Sequence, residues 1–507
     1  MDFAAELREG LAVLHPASVE DVQAAVVAAR AQGWKIYPVS TGRSWGYGSE
    51  RPLPEGFRKL DMSGMRSILN AGRISRAEPV AVVQPGVTQG QLQEFLAQSH
   101  PGLTFNVTGS ARETSLIGNS LDRGVGYLGP RRDDLFGLEV VTGTGEVIKT
   151  GFRRLGEDSP LAHCHPFGLG PMLDGLFFQG NFGIVTSACF RLMPRPPSQL
   201  AVSLALHQGA DLARFLDLLA ELKRERIMSS VTHVGNQART QASLLYGVSS
   251  YLEQHCGLHG NARDAAAQRA LRVVAPHEWT SLGGVSGTCS QVSAALKEVK
   301  RRMAGLATMN TFDDNRLAKG YALLHRLRGL PWAQTRAAAL AAVAPLHGLA
   351  SGVPTDAAVD NLLWRFGRTD LLAEQLDSSN CGILYINPAL PMSGRVVADV
   401  IAAMMTLAAQ CGLRLYVTIN IETENSLVAV TNLLFDRAVP AEATRARDCA
   451  DHLHAYIRSR GLEVYRARID MMPSIVDAAS PYWQTVAKLK QALDPDGVIA
   501  PGHYNLS

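Results

Sequence analysis

A loop rich in glycine and hydroxyl side chains follows a short apolar stretch near the N-terminus. It reads STGRSWGYGS over residues 40–49, directly after the strand-like residues 34–39. Glycines at 42, 46 and 48 let the backbone approach a ligand closely, and successive N–H groups in such a turn bind anions such as a pyrophosphate. The loop matches neither the G-x-G-x-x-G nor the Walker A pattern. Alone, the loop is better explained as an ordinary tight turn.

A second glycine-rich stretch has few large side chains between its glycines. It comprises residues 108–110, Thr-Gly-Ser, and residues 115–127, SLIGNSLDRGVGY. A flat ring can lie against such a backbone because glycine has no side chain to keep it away. The alternative is a loop that packs tightly on itself.

The elements around these loops mix helix and strand. Ser18 and Asp21 predict a capped helix over 16–33 that ends at Gly33, and Thr88 predicts the start of another after a strand at 80–87. Residues 138–148 predict a hairpin, and PRPPS at 194–198 predicts a rigid linker. Beyond it we expect strands at 200–206, 382–387, 413–420 and 427–434, and helices at 211–223, 334–344, 398–411 and 441–459, with Pro345 as a stop.

Composition excludes several classes of function. The 507 residues require two or more domains, and 46% hydrophobic with 19% charged residues is typical of a packed protein. The net charge of +3 does not favour nucleic acid or an anionic membrane, and no stretch has the roughly 18 apolar residues that cross a bilayer. Seven dispersed cysteines and a polar N-terminus predict a cytoplasmic protein. His163-Cys164-His165 is a poor zinc pattern, because adjacent residues rarely converge on one ion.

Five segments in a fixed order carry a resemblance to a known family. They are the loop at 40–49, SLIGNSLDRGVGY at 115–127, HPFGLGPMLDGLFFQGNFGIVT at 165–186, EVYRARID at 463–470 and LDPDGVIAPGHYN at 493–505. Together they resemble the vanillyl alcohol oxidase/p-cresol methylhydroxylase family of FAD-linked oxidoreductases. The resemblance covers most of the chain.

The resemblance implies an α+β fold in which a two-part FAD-binding domain carries an α+β cap domain. Residues 1–197 and 463–507 would form the FAD-binding domain, and residues 198–462 the cap that covers the flavin and shapes the substrate pocket. The implied FAD contacts are Ser40, Thr41, Gly42, Arg43, Ser44 and Tyr47 in the first loop; Thr108, Gly109, Ser110, Ser115, Gly118, Asn119, Gly124 and Val125 in the second; and the backbone of Gly183, Ile184 and Val185.

The resemblance also implies a substrate site. In phenol-oxidising members, two tyrosines and an arginine bind the substrate as its phenolate, and they match Tyr47, Tyr465 and Arg466. Such donors stabilise the phenolate and lower the phenol's pKa, which favours hydride transfer from its side chain to flavin N5. Without the family context, the two tyrosines would be packing residues, and Arg466 would be a surface charge or a partner of Asp470.

The sequence departs from the family at the residues that tether or assist the flavin. Ile383 stands where many oxidases carry the histidine linked to FAD, Val428 and Ala429 where they carry its paired histidine, and Ser44 where other branches attach the flavin. We therefore expect non-covalent FAD, with Tyr385 as the remaining candidate tether. Ser110 falls near the position of an expected carboxylate, which leaves room for a specialised biosynthetic, non-phenolic substrate.

Other questions stay open at this stage. The predicted partners are a small phenol, alcohol or amine, and either O2 or an electron-acceptor protein. We expect no nucleic acid or membrane partner and, from the family, a homo-oligomer. Gly109 near the flavin edge would leave room for oxygen, but oxidase and dehydrogenase are both compatible with the sequence. The alternative activity is a non-oxidative synthase of the alkyl-glycerone-phosphate type, with Arg466 and Arg468 as its phosphate ligands.

Overall fold

The N-terminal region forms three small sheets with helices against them. The computed structural model describes residues 3–48 and 53–506, so Ser49 of the first loop lies outside the described residues. The strands are β1 Val13–Leu14, β2 Lys35–Val39, β3 Phe57–Asp61, β4 Val80–Val83, β5 Leu103–Thr104, β6 Leu135–Thr142, β7 Val147–Lys149, β8 Gly183–Arg191 and β9 Met193–Pro194. The helices are α1 Phe3–Glu9, α2 Val19–Gln32, α3 Gln89–Ser99 and α4 Leu116–Leu121.

The local sequence signals of this region are confirmed. Ser18 and Asp21 form a capping box at the start of α2, and Gly33 ends that helix with a φ of 78°. Thr88 Oγ1 accepts the N–H of Gln91 and caps α3. Strands β1, β3 and β2 form a parallel sheet, whereas β4, β8, β6 and β7 form an antiparallel one. The hairpin predicted at 138–148 is β6 and β7.

A large antiparallel sheet follows the proline-rich linker. Its strands are β10 Ser198–Leu206, β11 Thr232–Asn236, β12 Trp279–Gly287, β13 Ala307–Phe312, β14 Cys381–Tyr385, β15 Asn387–Pro391, β16 Tyr416–Ile421, β17 Ser426–Asp436 and β18 Val464–Arg466. The accompanying helices are α5 Leu212–Arg224, α6 Gln237–Cys256, α7 Gly260–Val274, α8 Cys289–Arg302, α9 Asp314–Arg326, α10 Pro331–Ala350, α11 Ala357–Arg365, α12 Gly394–Gln410 and α13 Pro440–Ser459.

The two faces of this sheet have different characters. One face packs with α5, α8, α12 and α13 in the largest apolar core, which includes Phe215, Val417 and Ile419. Alternate residues of the same strands point to the other face, because side chains along a strand alternate. There Thr418 and Asn420 of β16 line a large cavity between the sheet and the N-terminal region.

Pro345 does not end a helix, contrary to the prediction of a helix over 334–344. Helix α10 continues through Pro345 to Ala350. Proline costs this helix one backbone hydrogen bond, but α10 packs very closely on α6. A Cβ added at Gly247 would lie only 2.6 Å from Ala342 Cα. The apolar contacts of Ala337, Ala338 and Ala342 in this core outweigh the lost hydrogen bond.

The C-terminal segment returns to the N-terminal sheet. Strand β18 still pairs with β15 of the large sheet, after which come α14 Met472–Ile475 and α15 Pro481–Leu493. Ile499 then pairs with Ile36 of β2. Given these contacts, we propose the division into residues 1–197 and 463–507, with 198–462 as a cap.

A buried lysine holds this return in place. Lys490 Nζ donates to Asp494 Oδ2 at 2.6 Å and to the carbonyl oxygens of Asn181 and Ile499 at 2.5 and 2.8 Å. Asp494 also accepts the N–H groups of Val498 and Ile499. These bonds join α15, the end of the chain and the start of β8.

Replacing Lys490 with methionine should destabilise the protein. The substitution leaves the buried Asp494 carboxylate without its cation, and breaking a buried pair costs about 3–5 kcal/mol. Urea unfolding followed by circular dichroism measures the change. Lys488→Met is the matched control, since Lys488 is exposed on the same helix. Equal midpoints for the two variants would contradict the structural role of Lys490.

Candidate active site

The first glycine-rich loop forms one wall of the cavity. The loop leaves β2 at Val39, and Gly42, Gly46 and Gly48 adopt φ angles of 71°, 73° and 122°, which other residues rarely take. Gly46 also lies against the cap, because a Cβ there would be 2.7 Å from the ring of Tyr385. Ser40, Thr41 and Ser44 add hydroxyl groups to the same wall.

The second glycine-rich segment forms the adjoining wall. Ser115 caps the short helix α4: its Oγ accepts the N–H of Gly118 at 3.0 Å and donates to the Pro85 carbonyl at 2.7 Å. Gly118 packs so closely on Ser40 that an added Cβ would collide with its hydroxyl. Asn119 Oδ1 is buried without a hydrogen-bond partner among the described residues.

Most of the predicted site residues line one cavity. Its volume is about 1290 Å³, larger than the ~300–1,000 Å³ of an ordinary small-molecule site. The predicted residues that line it are Ser40, Thr41, Gly42, Arg43, Ser44, Tyr47, Thr108, Gly109, Ser110, Ser115, Gly118, Asn119, Gly124, Val125, Tyr465 and Arg466.

Gly183, Ile184 and Val185 are not among the residues that line the cavity, and their role as cofactor contacts stays a prediction. They begin β8 and pair with Thr142, Val141 and Val140 of β6. The side chains of Ile184 and Val185 are buried in two apolar cores. The backbone of these residues is therefore part of a central strand of the antiparallel sheet.

Tyr47, Tyr385, Tyr465 and Arg466 form an aromatic and cationic cluster between the loop and the large sheet. The Tyr47 and Tyr385 rings stack with centroids 4.8 Å apart, and the Arg466 guanidinium lies 3.8 Å from the centre of the Tyr47 ring. Arg466 also donates to Ser44 Oγ at 3.2 Å. The structure therefore brings together the three residues that the sequence proposed for phenolate binding.

The charge of Arg466 is balanced by a residue that the sequence analysis missed. Arg466 forms an ion pair with Asp122, which ends α4, rather than with Asp470. Burial alone would lower the pKa of Arg466, but Asp122 and the neighbouring tyrosines hold it above its ordinary value. Asp122 stood within the second segment, but no sequence pattern paired it with a residue more than 340 positions away.

The tyrosines of the cluster are protonated donors. Burial, the largest cause, raises the pKa of both Tyr47 and Tyr465 well above 10, and Arg466 only partly opposes this rise. Asn387 Nδ2 donates to Tyr47 Oη at 2.5 Å, while its Oδ1 accepts the N–H of Thr431 at 2.9 Å. Because Asn387 fills an acceptor position of Tyr47, the hydroxyl proton is free for a ligand.

Arg468 and His163, which the sequence analysis considered as ligands of a phosphate and of zinc, have other partners in the structure. Arg468 is buried, donates to Asp470 Oδ1 at 3.0 Å and to the Tyr385 carbonyl at 2.9 Å, and is absent from the cavity lining. His163 bonds Glu78 and Glu157 through its two ring nitrogens. Among residues 3–48 and 53–506, no cluster of three His, Cys, Asp or Glu side chains is arranged to hold a metal ion, and no helix is long and apolar enough to cross a membrane.

Comparisons with known proteins agree with this geometry. An FAD binding domain family matches residues 11–151. The chain is 28% identical to 1'-carboxy-chondrochloren decarboxylase of Chondromyces crocatus, over 97% of this chain and 90% of that protein. It is 27% identical to the flavoprotein subunit of 4-cresol dehydrogenase (hydroxylating) of Pseudomonas putida, over 96% and 86%. A crystal structure of p-cresol methylhydroxylase with substrate bound has a TM-score of 0.79 and 25% identity, covering 98% and 88%.

The cavity walls fit the cofactor of these relatives. Positive-φ glycines bring the backbone to the cavity, hydroxyl groups surround them, and the buried Asn119 oxygen has an unused hydrogen-bonding position. The protein is an FAD-dependent oxidoreductase. Its chain is similar in sequence and in fold to the p-cresol methylhydroxylase flavoproteins, and its mixed helix-and-sheet fold is the one that the sequence predicted.

Gly118→Ala should weaken FAD binding by about tenfold or more, which is about 1.4 kcal/mol. The added methyl group forces the Ser40 hydroxyl away from its position in the cavity wall. Titration of the apoprotein with FAD, followed by flavin fluorescence, measures the dissociation constant. Gly102→Ala is the control, since nothing lies within 4 Å of a Cβ there. An unchanged dissociation constant in Gly118→Ala would show that this wall does not hold the cofactor.

Proposed function

We propose that the protein oxidises a para-substituted phenol, which it binds as the phenolate. The observation that carries this proposal is the convergence of Tyr47, Tyr465 and Arg466 on the cavity. Two neutral hydroxyl donors and a permanent cation match the single oxygen of a phenolate. An anionic ring oxygen donates electrons to the para side chain and makes its hydride easier to remove.

The chain's own residues prepare this site before a substrate arrives. Asp122 fixes the Arg466 guanidinium, and Asn387 orients the Tyr47 hydroxyl. Preorganised donors of this kind stabilise developing charge without reorganising during the reaction. FAD, when bound, supplies the hydride acceptor for the substrate's side chain. The substrate is left as a quinone methide, which water or another nucleophile then attacks.

A second candidate is an oxidation that ends in loss of CO2. The similarity to a protein named as a decarboxylase, over 97% of this chain, favours it. The carbon next to the oxidised carbon can carry a carboxylate. The electron pair of the bond between that carbon and the carboxylate then forms the new C=C bond and restores the aromatic phenolate. CO2 then leaves and an alkenyl phenol forms. The amount of CO2 released for each flavin reduced separates this outcome from the addition of water, which releases no CO2.

A non-oxidative synthase is less well supported. That activity was tied to Arg466 and Arg468 as ligands of a substrate phosphate. Arg466 is already paired with Asp122, and Arg468 with Asp470. Arg468 is also absent from the cavity lining, so only one of the two predicted phosphate ligands faces a substrate there, and the contacts favour the oxidative reactions.

Arg466→Ala should slow flavin reduction by a para-alkylphenol at least about 100-fold, the usual cost of losing one donor to a developing anion. Anaerobic stopped-flow absorbance measures the limiting rate. Tyr465→Phe keeps the ring and loses one donor, so it should slow the reaction less. Arg301→Ala is the control, because this side chain is 69% exposed on α8. If Arg466→Ala reduced the flavin as fast as the control does, Arg466 would not bind a phenolate and the proposed site would be wrong.

We also propose that FAD is bound non-covalently. Ile383 and Ser44 line the cavity and cannot form the histidyl links of related flavoproteins. The Tyr385 ring packs against Gly46 and stacks on Tyr47, which favours a structural role.

Acid precipitation should therefore release the flavin into the supernatant. Absorbance of the supernatant and pellet measures the two fractions. Tyr385→Phe should release the same fraction as the unmodified protein. Yellow colour that stays in the pellet, and is lost only in Tyr385→Phe, would instead identify a tyrosyl linkage.

A further inference from the structure

Arg239 is a cation in an unusual position at the cap side of the cavity. It lies in the first turn of α6, where Asn236 Oδ1 accepts its backbone N–H at 2.9 Å. The side chain of Asn236 is itself held by the Leu415 carbonyl at 3.0 Å. A positive charge at a helix N-terminus is unfavourable, because the helix dipole is already positive there. The first turn of α6 contains no acidic residue that would compensate.

No described carboxylate within 4.0 Å pairs with Arg239, and its side chain lines the cavity. Two of the acidic residues that line the cavity have other partners. Asp122 pairs with Arg466, and Asp61 pairs with Lys59 at 2.7 Å. The guanidinium therefore offers an uncompensated charge to whatever occupies this space. Residues that cost stability in this way are characteristic of functional sites.

Arg239 and Arg466 both line the cavity with Tyr385, and both lie near enough to it for their charges to act on its hydroxyl. Burial raises the pKa of Tyr385, and the charges of both arginines oppose this rise. Tyr385 stacks on Tyr47, which in turn lies under Arg466. Because both arginines line one cavity near the same tyrosine, a ligand whose ring oxygen reaches Arg466 can extend toward Arg239.

His233 adds an unused acceptor beside Arg239. Its Nδ1 bonds Asn420 Oδ1 at 2.7 Å, its ring lies 4.3 Å from that of Tyr127, and its Nε2 has no partner among the described residues. Burial lowers the pKa of His233 to about 4, with Arg239 acting in the same direction. The ring is neutral with its proton on Nδ1, so Nε2 accepts a hydrogen bond.

We propose that Arg239 binds a carboxylate on the side chain of the phenolic substrate, and that His233 Nε2 accepts an N–H or O–H next to it. This inference rests on the proposed function, since the phenolate site defines the other end of the ligand. It narrows the substrate to a para-substituted phenol with an anionic side chain, of the kind found in an N-acylated tyrosine. A simple alkylphenol would leave the guanidinium and the imidazole without partners.

Binding to the FAD-loaded protein tests the proposal with matched probes. N-acetyltyrosine and N-acetyltyrosinamide differ only in the carboxylate, and perturbation of the flavin spectrum under anaerobic conditions gives their dissociation constants. The unmodified protein should bind the carboxylate at least tenfold more tightly. In Arg239→Gln this ratio should fall to about one, and Arg239→Lys should restore part of it. Arg269→Gln, an exposed arginine on α7, should keep the original ratio.

N-acetylphenylalanine and its amide separate this inference from the proposed function. They lack the phenol, so they report on Arg239 alone. A misplaced phenolate site would make the tyrosine and phenylalanine compounds bind alike, with the carboxylate preference still lost in Arg239→Gln. Equal affinity for carboxylate and amide in the unmodified protein would overturn the inference. Loss of FAD in both Arg239 variants would also overturn it, because the guanidinium would then belong to the cofactor.

Discussion

The buried charge of Arg466 is the constraint on which the candidate site depends. A guanidinium in a protein interior requires a counter-charge and hydrogen-bond acceptors, since an unpaired buried charge is very costly. Here the compensation comes from Asp122 at the end of α4, Ser44 in the first loop and the face of the Tyr47 ring. Arg466 itself ends β18 of the large sheet. One cation thus joins both glycine-rich segments to the large sheet.

The large sheet solves a second problem, which is how to place polar groups in an interior. Strands alternate their side chains, so a single sheet can have one face packed against helices and another facing a ligand. Val417 and Ile419 enter the apolar core, whereas Thr418 and Asn420 face the cavity. Residues on the cavity face of the sheet can therefore change without disturbing the apolar core on its other face. This separation allows proteins of one fold to differ in the residues that face the ligand.

The sequence was most informative where the physics is local. Ser18, Gly33 and Thr88 act within a few residues of themselves, and their helices begin or end as predicted. Tyr47, Tyr465 and Arg466 were reached only through the family resemblance, because their neighbours in space are distant in sequence. Asp122, Asn387 and Arg239 carried no local signal, since pairing, orientation and lack of a partner are properties of the fold. Pro345 was misjudged because helix packing overrode a local pattern.

The return of the chain end to β2 has a consequence for how the protein is made. Ile36 pairs with Ile499, and the Lys490 contacts fasten residues near position 181 to residues near position 499. Contacts between such distant positions form slowly, and a ribosome adds only about 5–20 residues per second. During synthesis, strand β2 is therefore without its C-terminal partner for tens of seconds. We expect chaperones and early binding of FAD to affect the yield of folded protein most during this interval.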